Sequence, residues 1–135
     1  MAWDAALSAT QLTSITTEAV FQKDAADWKV ALAPGESAHV QVKSDMGATD
    51  DVKFSIYGSD LDAPGAVPDA AQSLGGSDWH LITEITVDNV NDDTEWQGLI
   101  ISGYKWFAVT AQRVGSTDTG ITADMKVATD GVDAS

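Results

Sequence analysis

Acid–base chemistry near neutral pH begins with imidazoles, and this sequence has two, His39 and His80. They fall on different expected strands and on the outward side of each alternation, where a solvated side chain is the expectation. A serine nucleophile needs a histidine that is itself oriented by a carboxylate, and no glycine-flanked serine elbow occurs. Gly76-Ser77-Asp78 reads as a turn, not as part of a triad with His80. Cysteine is absent, which removes thiol nucleophiles, thiolate zinc sites and disulfides together. With 21 acidic side chains an acid pair of the glycosidase kind is always available, so abundance alone carries no information. Such an enzyme also needs a cleft lined by aromatics, and packing explains the tryptophans more simply. Trp28 and Trp79 read as core and Trp106 as lying on the face opposite Phe107, with Trp96 unassigned. No catalytic residue is assigned, and the chain is read as a non-enzyme.

Hard cations want clustered oxygens, and Asp88, Asn91, Asp92, Asp93 and Glu95 crowd one segment while Asp60 and Asp62 alternate in another. Neither has the spacing of an EF-hand, and aspartate is favoured in turns for its own bonds to the backbone, so no metal ligand and no cofactor are assigned. Gly75-Gly76 leads into a strand where a phosphate site would want a helix start. The formal net charge of −14 repels a phosphate backbone and argues against nucleic acid as a partner. Its simplest meaning is a solvated surface that resists precipitation. The longest apolar stretches, 99–101 and 106–109, are too short to cross a bilayer, and Met1-Ala2-Trp3-Asp4 lacks the basic start of a secretory signal. Neither membrane insertion nor export is expected.

The elements that would position any site have period two. Trp28, Val30 and Leu32 alternate with Lys29 and Ala31, and Ala38, Val40 and Val42 alternate with His39, Gln41 and Lys43. Between them Ala33-Pro34-Gly35-Glu36 has the residues of a tight turn, which predicts a hairpin. Val52, Phe54 and Ile56 set up the next strand. Trp79, Leu81, Thr83, Ile85 and Val87 then share one face of a long strand, with His80, Ile82, Glu84 and Thr86 on the other. Strands follow at 95–102, 104–114 and 121–129, the last two expected as an antiparallel hairpin, and weaker ones at 12–16 and 19–23. The sum is an all-β chain of about eight strands, an antiparallel β-sandwich or jelly-roll-like fold, with no long helix and no repeat. Residues 1–10 read as an N-terminal arm and 11–135 as a single sandwich domain. At 135 residues, 44% of them apolar, a domain of this kind buries roughly two-thirds of its chain surface.

Three stretches, Leu32-Ala33-Pro34-Gly35-Glu36-Ser37-Ala38, Phe54-Ser55-Ile56-Tyr57-Gly58-Ser59 and Tyr104-Lys105-Trp106-Phe107-Ala108-Val109, together resemble small virion proteins of tailed bacteriophages, over roughly residues 30–132. The resemblance implies a β-sandwich on the particle: a capsid decoration (cement) protein, or a piece of the tail or a fibre. It further implies the major capsid protein and copies of itself as partners, a homo-oligomer, and a place on the virion surface after assembly in the host cytoplasm.

A sandwich has sheet edges and faces that a lattice neighbour can cover. In 104–114 one side carries Tyr104, Trp106 and Ala108 while the other carries Phe107, Val109 and Ala111, more than one core requires, so one face is expected to meet a partner. Candidate partner-binding residues are Trp3 and Leu7 in the arm, Leu61, Val67 and Leu74 in the long proline- and glycine-rich loop, and Tyr104 and Trp106. The rival from another class is a carbohydrate- or receptor-binding module with exposed tryptophans stacked on sugar rings.

Overall fold

The computed structural model describes residues 11–12, 19–20, 30–44, 50–64, 78–88, 96–115 and 122–130, with backbone alone at 11–12, 19–20 and 129–130. Every regular element among them is a strand: β1 (Gln11–Leu12), β2 (Ala19–Val20), β3 (Val30–Ala31), β4 (Ser37–Ser44), β5 (Asp51–Ser59), β6 (His80–Val87), β7 (Gln97–Ser102), β8 (Trp106–Val114) and β9 (Ala123–Asp130). They form two antiparallel sheets. One has the order β1-β9-β4-β7, and the other β2-β8-β5-β6 with β3 following β2 along the same edge of β8. The sheets pack face to face as a β-sandwich, the expected fold.

Alternation drives this packing. On β4 the apolar positions Ala38, Val40 and Val42 are buried while Ser37, His39, Gln41 and Lys43 are partly exposed. On β9, Ala123, Met125 and Val127 point the same way, and Ile101 of β7 joins them. Facing them from the second sheet are Val52, Phe54 and Ile56 of β5, Val87 of β6, and Phe107, Val109 and Ala111 of β8, with Leu32 closing one end. Fifteen buried side chains thus form one interior drawn from both sheets, the apolar area whose removal from water drives folding.

Three expectations need correction. The turn at residues 33–36 is real: the Glu36 amide donates to the Ala33 carbonyl at 2.9 Å, Gly35 has φ of 79°, and proline precedes it, which is a type II turn. It does not make a hairpin, because β3 pairs with β8 in one sheet and β4 lies in the other. β8 and β9 likewise belong to different sheets. Strands facing each other across a core show the same alternation as strands paired edge to edge, so period two cannot separate the cases.

The third correction is on β6. Ile56 pairs with Thr83 but Tyr57 with Leu81, so Ile82 is an extra residue on β6. This bulge turns Leu81 out to solvent and lays Ile82 against the interior, the reverse of the uninterrupted alternation. On the outer face of β8, Trp106 and Ala108 pack with Tyr57 and Trp79 in a second cluster, leaving Ala108 only 1% and Tyr57 only 2% exposed. Farther along the same face the surface is polar, with Glu84 held 3.4 Å from both Lys53 Nζ and Ser55 Oγ.

Gly35 gives a clean test of the turn. A Cβ added there meets nothing within 4 Å, so the cost of Gly35→Ala is backbone strain alone. We expect a loss of about 1 kcal/mol in urea unfolding, without change in the slope.

Candidate functional site

At the end of the sandwich that carries this turn, three segments far apart in sequence meet. The Leu32 amide donates to the Lys105 carbonyl at 2.8 Å, and the Lys105 amide donates to the Ser59 carbonyl at 3.0 Å. The Leu61 amide donates to Ser59 Oγ at 3.3 Å, which fixes the start of the loop after β5. Between the segments opens a groove of about 440 Å³, its wall made by residues 32–36, Asp60 and residues 102–105. Its apolar part comes from Leu32, Ala33, Pro34 and the Tyr104 ring, and its charges from Glu36, Asp60 and Lys105.

Tyr104 is seated by an absence. A Cβ on Gly58 would lie 2.5 to 2.8 Å from three atoms of its ring, so the ring lies directly on the glycine backbone of β5. Gly58→Ala is therefore expected to lift Tyr104 out of the groove wall at a cost of about 1–3 kcal/mol. Solvent accessibility of the tyrosine, followed by its fluorescence and its ring resonances, checks this. An unmoved ring would contradict the seat.

Lys105 Nζ reaches Asp62 Oδ1 at 2.7 Å and clasps the loop after β5 to the β7–β8 connection. The hydrogen bond and the charge of Lys105 hold the Asp62 carboxyl below its ordinary 3.8. The hydrogen bond and charge of Asp62, helped by Asp60, raise the Lys105 ammonium above its ordinary 10.5. The lowered acid contributes above its unfolded-state value and its contribution is lost as pH falls through the folded one, below 3.8. The raised base contributes below its unfolded-state value and its contribution is lost as pH rises through the folded one, above 10.5. The clasp is thus closed across the neutral range. Both groups are exposed, so Lys105→Met should leave global unfolding unchanged and show itself as faster amide exchange at Leu61 and Asp62. In the wild-type chain the protection of these amides, taken relative to the intrinsic exchange rate at each pH, should fall when acid opens the clasp.

Glu36 completes the site, its Oε1 accepting the Ala33 amide at 3.0 Å across the turn. Of the residues marked by sequence, Leu61 stands 46% exposed beside this groove and Tyr104 lines it. Trp106 is half-buried on the outer face of the second sheet and is not part of the groove wall. Trp3, Leu7, Val67 and Leu74 lie outside the described residues, as do Asn91, Asp92, Asp93 and Glu95 of the acidic segment. Leu32, Glu36 and Lys105 were not among the candidates; their one available signal is that each lies within two residues of a glycine or proline turn. Trp96, unassigned by pattern, projects from the start of β7 with Lys43 Nζ 5.0 Å and Lys126 Nζ 4.3 Å from its ring centre. Ile100 of β7, 62% exposed, faces solvent from the same sheet.

His39 is on β4 and His80 on β6, in different sheets, and among the described residues no three histidine, aspartate or glutamate side chains converge as metal ligands. Comparison with known proteins gives no relation to lean on: no family model matches the sequence, and no curated protein is significantly similar to it.

Proposed function

We propose that the chain is a structural protein of a tailed-phage virion, a capsid decoration (cement) protein that binds the outer surface of the shell and stabilises it. One observation carries the reading. Each of the three stretches in which the chain resembles small virion proteins, residues 32–38, 54–59 and 104–109, has one end at the groove, where Leu32, Ser59 and Lys105 are hydrogen-bonded together, with Leu61 exposed beside it. The inward residues of these stretches, Phe54, Ile56, Phe107 and Val109, serve the core, while Pro34, Tyr104 and Lys105 line an open, partly apolar end that supports a docking surface. The acidic exterior suits dense arrays, where like charge limits aggregation before docking. Repeated over a symmetric shell, modest contacts of this size add up to firm occupancy.

The direct test is co-sedimentation with empty shells produced by co-expressing the major capsid protein encoded in the same genome. Saturable binding and a higher shell melting temperature are expected; failure of both removes the proposal. Light scattering of the free protein reads the oligomer. A carbohydrate- or receptor-binding module is the second reading, with the exposed ring of Trp96 in its favour. Two ammonium groups already engage that ring and would have to yield to a sugar, which ranks this reading below the first.

A further inference from the structure

We propose that the end groove receives a cationic side chain, an arginine or lysine displayed by the docking partner, its methylene stem on the apolar wall and its charged head between Glu36 and Asp60. The identity of the partner as a capsid protein rests on the decoration reading; the chemistry of the groove does not.

The wall fits an amphipathic occupant. Leu32, Ala33, Pro34 and Tyr104 offer apolar area to a stem. Among the groups at the mouth, Lys105 is bound to Asp62, so these two charges offset each other and Glu36 and Asp60 set the sign. An acidic or phosphorylated ligand meets both carboxylates and the field of a chain with net charge −14. A neutral apolar side chain would satisfy the wall while drawing water from Glu36 and Asp60 without repayment. Only a side chain with an apolar body and a positive head answers wall and mouth together.

The cation comes from another protein. Of the seven basic residues in this chain, Lys53 is bound to Glu84, Lys105 to Asp62 and Arg113 to Asp50, while Lys43 and Lys126 lie on Trp96, and Lys23 and Lys29 lie outside the described residues. Copies of this chain, each with net charge −14, repel one another, so a partner with basic residues on its surface is the complementary one.

The test is a titration of isotope-labelled protein with acetylated and amidated Gly-Arg-Gly, with Gly-Leu-Gly and Gly-Glu-Gly as comparators, followed by amide chemical shifts. The arginine peptide should move Gly35, Gly103 and Lys105 together, the leucine peptide less, and the glutamate peptide not at all. In the double variant Glu36→Gln, Asp60→Asn the arginine peptide should bind about fivefold or more weakly and the leucine peptide as before, because only charge-assisted contacts have been removed. The amide oxygen of Gln still accepts from Ala33, so the turn should survive, as unchanged shifts elsewhere would verify. Equal binding of the arginine and leucine peptides, or a double variant that binds arginine like the wild type, overturns the inference. In the shell assay, normal shell binding by the double variant also overturns it as the docking contact and leaves the decoration reading intact. Charge-dependent peptide binding by a protein that ignores shells does the opposite.

Discussion

Phe107→Ala should cost about 3–5 kcal/mol of stability, the upper range for removing a buried aromatic ring. Phe107 is fully buried on β8 and stands opposite Gly58 on one side and Val30 on the other. Gly58 has no side chain to lean into the space, and the Tyr104 ring already rests on its backbone, so the cavity would stay open instead of collapsing. For a domain of this length the loss corresponds to a fall of about 10–20 °C in Tm. Chemical denaturation should show the same loss through the midpoint with the slope kept. If the variant does not fold, Phe107→Leu, which keeps most of the volume, should still cost about 1 kcal/mol. A loss below that for the alanine variant would mean that the ring is not the keystone of the interior.

The second large effect is expected at the opposite end of the sandwich. Asp50, 7% exposed, sits just before β5, and Arg113, 14% exposed, sits on β8 with its Nε 3.9 Å from the carboxylate. Replacing Arg113 by leucine leaves a carboxylate in a site shielded from water, at a cost of about 3–5 kcal/mol, whereas removing both charges together costs far less than the sum of the single changes. A double-mutant cycle over Asp50→Leu and Arg113→Leu, read by urea unfolding, makes the distinction. Additive effects would show that the two side chains act separately. Gly115 belongs to the same arrangement, because its φ of 123° is one that L side chains avoid and a Cβ there would overlap the Asp50 carboxylate.

How much of this was legible in the sequence differs by level. The inward faces of β4 and β5 can be read off Ala38-Val40-Val42 and Val52-Phe54-Ile56 because their ladders run without interruption. On β6 the same reading goes wrong between Leu81 and Ile82, since a bulge depends on how two strands pair and leaves no mark in one of them. Turn chemistry is equally local: Pro34-Gly35 specified the turn, but whether the next strand returns beside the last or crosses to the other sheet is decided by pairing far along the chain, as of Val30 with Phe107 on β8. The groove was illegible for the same reason. Leu61 and Tyr104 stand out as apolar residues in loops, yet nothing in the sequence brings residues 32–36, 60 and 102–105 to one place before the sheets form. The second cluster was half visible. The excess of apolar residues on β8 is plain, but that Tyr57 and Trp79 pack against it follows only once β5 lies beside β8.

Among the described strands, β5 and β6 are the only sequence neighbours that are also neighbours in a sheet. β4 needs β7 and β9 on its two sides, and β1 needs β9. During translation the first sheet therefore cannot close until β9 has left the ribosome, and the emerging polypeptide must wait with its β-forming segments unsatisfied. Topologies of this kind fold on timescales of about milliseconds to seconds, long enough for nascent copies on one message to meet. Mutual repulsion between chains of net charge −14 acts during that interval, so the acidity of this protein guards its birth as well as its finished surface.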